Sequence, residues 1–123
     1  MNLDLKNKNA IVCGSTQGIG QATAIELANL GANITLIARN ESKLKEVMTL
    51  LDKTQGQKHS FLVVDFSESN SLKEKIDPLA RNYHILINNT GGPAGGPISD
   101  ASTQSFEDAF RMHLVNNQLL VQK

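Results

Sequence analysis

Three glycines fall within seven residues, Gly14-Ser15-Thr16-Gln17-Gly18-Ile19-Gly20, behind a short apolar run, Ala10-Ile11-Val12, and ahead of a helix-like stretch from Gln21 to Leu30. Glycine reaches positive φ without penalty and lets other groups approach the backbone. A tight turn at the mouth of a helix presents unpaired N–H groups, and the helix dipole adds partial positive charge there. That combination binds phosphate. The spacing Gly-x-x-x-Gly-x-Gly differs from the common Gly-x-Gly-x-x-Gly fingerprint, and the Gly-Lys-Ser/Thr ending of the other phosphate loop is missing, so the strand–turn–helix context carries the reading. The alternative is a glycine turn that only packs a helix closely on a sheet. Ser15 is no nucleophile candidate, since it lies within the turn and outside any nucleophile-elbow setting. His59 and His84 each begin a strand without ligand spacing to another histidine or to the single cysteine, so no metal site is predicted.

The elements that must position this turn alternate regularly. Residues 9–13 predict a buried strand, and Gly20 to Leu30 a helix closed by Gly31 as its C′ residue. Asn33 to Ala38 predicts a second strand. Asn40 can cap a helix whose Leu44, Val47, Met48 and Leu51 share one face. After a polar loop from Lys53 to Lys58, Ser60 to Val64 predicts a third strand ending at Asp65. A third helix is expected over Ser69 to Arg81 with Leu72, Ile76 and Leu79 inward, and Pro78 should kink it or end it early. Ile85 to Asn88 predicts a fourth strand, followed by a Gly/Pro-rich loop over 90–97. A last helix, from Thr103 to Lys123, carries Phe106, Phe110, Leu114 and Val121 at helical spacing. The order βαβαβαβα implies an α/β, Rossmann-like parallel sheet covered on both faces. Right-handed crossovers give the strand order 3-2-1-4.

Bulk properties narrow the partners. A chain of 123 residues has room for one domain with a real core. Twelve basic and 12 acidic residues leave no net charge and no basic stripe, so a nucleic-acid partner has no electrostatic support. No apolar run approaches the roughly 20 residues of a membrane helix, and the N-terminus lacks the apolar core of a signal peptide. The single cysteine, Cys13, sits in an apolar strand, which fits a reducing, cytoplasmic setting.

Together, Gly14-Ser15-Thr16-Gln17-Gly18-Ile19-Gly20, Asp65 after the third strand and Asn88-Asn89-Thr90-Gly91 after the fourth resemble the short-chain dehydrogenase/reductase family, with the 3-oxoacyl-carrier-protein reductases as the best-fitting subgroup. The likeness runs from Leu5 to Lys123. It implies a dinucleotide cofactor lying across the glycine turn. It also implies that Asp65 meets the adenine amino group, that Phe66 lines the adenine pocket, and that Asn88, Asn89 and Gly91 buttress the sheet and contact the nucleotide. Asp65 has a plainer alternative, capping the turn into Ser67-Glu68-Ser69. At the end of the second strand, an acidic residue would bind the ribose 2′-OH of NAD. Here Ala38 is followed by Arg39, whose guanidinium matches a 2′-phosphate by charge and donor fork, so NADP(H) is expected. A surface pair with Glu41 is the alternative for Arg39. The cofactor-binding set is therefore Gly14 to Gly20, Arg39, Asp65, Phe66, Asn88, Asn89 and Gly91.

The chain departs from the family's pattern at three places. Cys13 stands where threonine is usual, Thr90 where alanine is usual, and His113 where the resemblance puts a catalytic asparagine. Asn116 and Asn117 lie one turn further on. His113 has a relay role open to it, with a structural role the more ordinary reading. The family's reaction also needs a serine and a Tyr-x-x-x-Lys pair, which lie beyond the fourth helix in its members. The only tyrosine is Tyr83, with Ile87 four residues on, so no residue is assigned as catalytic. Residues 1–123 are thus expected to form the cofactor half of an oxidoreductase that moves a hydride between NADPH and a carbonyl or alcohol, inactive alone. A non-enzymatic nucleotide-binding or self-associating module, or a truncated product, are the rival readings. Ile85 to Asn88 would be an edge strand and the last helix would lack neighbours, which predicts a homodimer or higher homo-oligomer.

Overall fold

The computed structural model describes residues 3–123, and within them four strands form one parallel sheet in the order β3-β2-β1-β4. The strands are β1 (Asn9–Cys13), β2 (Asn33–Ala38), β3 (Ser60–Val63) and β4 (Ile85–Ile87). β1 is central, with Ala10 to Cys13 opposite Ile34 to Ile37 on one side and Ala10 to Val12 opposite Ile85 to Ile87 on the other. Successive side chains on a strand point to opposite faces. Ala10, Val12, Ile34, Leu36 and Ala38 accordingly enter one core, while Ile11, Cys13 and Ile37 enter the other. Both faces are covered, which is why β1 and β2 are mostly apolar on both faces, with Thr35 the one polar residue inside β2.

The first core is closed by α1 (Gly18–Asn29) and α2 (Glu41–Leu50). α1 turns Gly20, Ala24 and Ala28, spaced four apart, into the interior. Small residues at that spacing bring the helix axis close to the sheet. Gly31 ends α1 at φ +99°, with Gly31 N–H donating to Ala28 O and Ala32 N–H to Leu27 O. That pair of bonds is the Schellman closure glycine permits. Asn40 caps α2 as its position suggested, accepting from Lys43 N–H at 3.0 Å.

The second core is closed by α3 (Ser69–Ile76) and by Leu120 of the last helix. α3 stops at Ile76, five residues short of the expected Arg81. Asp77 is its C-cap and Pro78 follows, so proline ends the helix and does not kink it. Leu72 and Ile76 are buried and Leu79 partly so. The single long helix expected from Thr103 is divided. α4 (Thr103–Phe110) passes through one π-helical stretch, Arg111–Val115, into α5 (Asn116–Val121). Its apolar stripe does not meet the core, since Phe106, Phe110, Leu114 and Val121 are each more than half exposed. No helix among the described residues is long and apolar enough to cross a membrane.

The amino ends of the strands are knit by polar side chains. Asn33 Nδ2 donates to Asn9 Oδ1 at 2.9 Å, and Asn9 Nδ2 to Asn82 O at 2.8 Å. Two histidines work here as acceptors: His84 Nδ1 takes Asn9 N–H at 3.1 Å and His59 Nδ1 takes Ile34 N–H at 3.0 Å. With Nδ1 accepting, the His59 proton must lie on Nε2, which donates to Asp52 O at 2.7 Å. Tyr83 belongs to this end too, its hydroxyl 3.1 Å from Thr35 Oγ1.

Desolvation, more than any neighbour, lowers the His59 pKa, with Lys53 and Arg81 adding to it and Asp52 opposing. The neutral ring therefore suits the folded state. Its stabilisation is complete above the unfolded value near 6.5 and is lost as pH falls below it. Urea unfolding should give a midpoint that drops as pH falls below about 6.5. His59→Gln should flatten that segment, and an unchanged profile would remove His59 as its source.

Candidate functional site: a cleft at the carboxyl ends of the strands

The carboxyl ends of β1, β2, β3 and β4 surround one cleft of about 450 Å³, and the three glycines of the first turn divide its construction among them. Gly14 has φ +57°, and a Cβ there would stand 2.3 Å from the Asn89 carbonyl oxygen. A Cβ on Gly20 would meet the Gly14 carbonyl oxygen at 2.2 Å and Asn89 Nδ2 at 2.8 Å. These two glycines exist for close packing. Gly18 differs, because its φ of +55° needs glycine while nothing lies within 4 Å of where its Cβ would be. Its open side faces the cleft it lines. No side chain caps the N-terminus of α1, whose N-cap is Gln17. The first-turn N–H groups are thus left for an anion from outside.

Asn89 locks this turn to the fourth strand, its Nδ2 donating to Gly14 O at 3.3 Å and Cys13 O at 3.4 Å. The Cys13 thiol lies beneath. Burial raises its pKa to about 12, opposed by a bond from the Asn89 backbone. Cys13 therefore fills the usual threonine position as a neutral, weakly polar group.

The cleft takes its lining from Gly14, Thr16, Gln17, Gly18 and Ile19 of the first turn, and from Arg39 beside Ala38. Asp65 and Phe66 line it after β3, and Asn89 and Gly91 after β4. Three residues of the sequence-derived set lie elsewhere. Ser15 is fully buried and directs its hydroxyl to Ile37 O at 3.5 Å, Gly20 is buried under Gly14, and Asn88 is exposed away from the lining. Val64, Thr90, Gly92 and Met112 complete the wall. Met112 was unforeseen, because helical spacing alone does not say that the last helix crosses this opening.

Electrostatics refine two assignments. Glu41 pairs with Lys45 at 2.7 Å, so it is engaged within its own helix and not committed to Arg39. Asp65 Oδ1 accepts both Ser67 N–H at 2.9 Å and Ser67 Oγ–H at 2.8 Å. Those bonds, first the backbone one, hold its carboxyl below the ordinary range, and the Arg39 charge adds a smaller part. The turn-capping reading of Asp65 is thus realised on one oxygen, in a residue that also lines the cleft. His113 is 3.1 Å from Thr90 Oγ1 through Nδ1, so two departures from the family's pattern meet one another. Among the described residues, no three of His, Cys, Asp and Glu gather as a metal site would require.

The two kinds of glycine separate experimentally. Gly20→Ala should lower the thermal midpoint strongly, because carbonyl backbone cannot yield. Gly18→Ala should stay folded at a cost of about 1 kcal/mol for the left-handed φ, yet weaken binding of a dinucleotide. Equal losses of stability in a pair of thermal melts would contradict this division.

The comparisons with known proteins agree on what this cleft belongs to. The chain is 34% identical over 120 residues to an uncharacterized oxidoreductase of Schizosaccharomyces pombe, covering 94% of this chain and 34% of that protein. It is 32% identical over 124 residues to L-rhamnose 1-dehydrogenase (NADP(+)) of Thermoplasma acidophilum, covering 98% of this chain and 49% of that one. Among solved structures, L-sorbose reductase from Gluconobacter frateurii, complexed with NADPH and L-sorbose, superposes with a TM-score of 0.86 at 26% identity, over 99% of this chain and 48% of the reductase. The chain thus spans half or less of the length of these relatives. The short chain dehydrogenase family model matches residues 8–122, and with the glycine turn, the Asn89 lock and the parallel sheet in place, the chain belongs to that family.

Proposed function

We propose that residues 1–123 form the NADP(H)-binding half of a short-chain oxidoreductase acting on a carbonyl or alcohol substrate. The observation that carries the reading is the cleft itself, which is lined by an open Gly18 at an uncapped helix N-terminus and by Arg39 after β2. The donor set fits a phosphorylated dinucleotide. Gly18 and the first turn of α1 would hold the pyrophosphate. Arg39 would take the 2′-phosphate, where an acidic residue would instead have selected a free ribose hydroxyl. Asp65 and Phe66 would bound the adenine, and Asn89 to Gly91 the opposite end. A bound nicotinamide supplies hydride transfer, and the protein's part is to orient it. Two similar proteins, the L-sorbose reductase complexed with NADPH and the L-rhamnose 1-dehydrogenase (NADP(+)), support the same cofactor. No residue of this chain is assigned to proton transfer on the substrate, since its only tyrosine is built into the far end of the sheet. The single buried thiol supports a cytoplasmic setting.

The reading extends to self-association. Phe106, Phe110 and Leu114 form an exposed apolar stripe on α4 and the π-helical stretch, and β4 is an edge strand. Surfaces of both kinds favour pairing with a second copy.

Titration of NADPH and NADH into the chain, followed by calorimetry, should show tighter binding of NADPH. Arg39→Asp should cost about tenfold or more in NADPH affinity, the worth of a charge-assisted phosphate contact, and turn the preference toward NADH. Unchanged discrimination would sink the Arg39 assignment. Sedimentation of the chain should show a dimer or larger species that Leu114→Glu shifts toward monomer. A wild-type monomer at high micromolar concentration would overturn the association.

A further inference from the structure

Two turns that wall the cleft are tied to one short piece of helix. Thr90, in the turn after β4, bonds His113 Nδ1 through its hydroxyl at 3.1 Å. Phe66, in the turn after β3, gives its carbonyl oxygen to Asn116 Nδ2 at 2.6 Å. β3 and β4 are the two outer strands of the sheet and do not pair with each other, so the turns that follow them are related only through β2 and β1. His113 and Met112 lie in the π-helical stretch Arg111–Val115, and Asn116 follows it directly. Met112, the residue before His113, lines the cleft. A π-helical turn inside a helix is rare and is frequently found at functional sites.

Asn116 is the informative member. It is fully buried, and its Oδ1 has no hydrogen-bond partner. An apolar side chain of the same size would remove the unpaired Oδ1 and leave Phe66 O without this donor, an exchange of one unpaired acceptor for another that gives stability little reason to choose the amide. What the amide does supply is the single bond to Phe66 O.

We propose that His113 and Asn116 are positioning residues: a two-point brace through which the segment 112–116 sets the spacing between the Phe66 turn and the Thr90 turn, and with it the width of the dinucleotide cleft. His113 acts through Thr90, with the ring nitrogen facing that hydroxyl committed to it. The proposal rests on the cofactor reading given above and adds to it a part of the chain outside the glycine turn.

Three variants of the full chain test it with two readouts. The first is amide hydrogen exchange without any cofactor, and the second is the NADPH dissociation constant. Asn116→Leu should preserve or raise the thermal midpoint, speed exchange in the 65–67 turn, and weaken NADPH binding about fivefold or more. Thr90→Val should speed exchange at 90–92, move the His113 imidazole nitrogen resonances, and weaken NADPH similarly. Thr90→Ser, which keeps the hydroxyl, should restore both readouts. A purely structural role predicts instead that Asn116→Leu changes stability and affinity together and that Thr90→Ser rescues nothing. Unchanged exchange in both turns overturns the brace, as does faster exchange with unchanged NADPH affinity. Failure of the wild-type chain to bind NADPH overturns the cofactor reading and the brace's role with it, while exchange alone still reports whether the two turns are tethered.

Discussion

The carbonyl oxygen of Gly14 occupies the space that any side chain on Gly20 would need. That contact brings the start of α1 against the end of β1, and Asn89 closes the third side by bonding Gly14 O and Cys13 O. Nearly every other feature of the cleft follows from this approach. Gly18, on the stretch between Gly14 and Gly20, is left clear of neighbours in the lining of the cleft. The first N–H groups of α1 point into the opening because the helix begins so close to the strand. β4 keeps its place beside β1 partly through the same asparagine. Glycines in one motif thus serve different ends: two remove bulk from a junction, and one opens a backbone to solvent.

Around that junction the sheet separates its two ends by function. At the amino ends, Asn9, Asn33, His59, His84 and the Thr35–Tyr83 hydroxyl pair consume their hydrogen bonds on one another and on backbone. At the carboxyl ends, polar groups are left facing a cleft. This is the general division in open parallel sheets, where ligands lie beyond the carboxyl ends of the strands. It also explains the single tyrosine, whose hydroxyl belongs to the closed end.

Much of this was legible in the residues. Strand order followed from alternation and handedness, and the Asn40 cap and Gly31 closure were local signals with local causes. The glycine turn gave its own position, and the turns after β3 and β4 announced themselves by type. Pro78 warned of an early end to α3, and Asp77 was the last residue to cap it. What the residues did not disclose shares a physical origin. Ser15 sits inside a turn that lines the cleft, yet its hydroxyl turns to Ile37 O, and no spacing rule distinguishes the two directions. The stripe Phe106, Phe110, Leu114 and Val121 has the period of a core-facing helix, but period reports a common face and not which neighbour covers it. The π-helical stretch has no compositional signature. Met112 in the cleft wall, and the bond from Asn116 to Phe66 O, follow from the path of that stretch and not from its composition.

The substitution of cysteine for the usual threonine beneath the turn has a chemical corollary. A thiol reacts with oxidants and electrophiles as its thiolate. With burial raising the Cys13 pKa to about 12, the thiol stays protonated at neutral pH. The floor of a site read as a redox cofactor's seat is thus laid with sulfur that burial keeps chemically silent. Corrosion of the turn by peroxide or by alkylating metabolites must wait for the sheet itself to open.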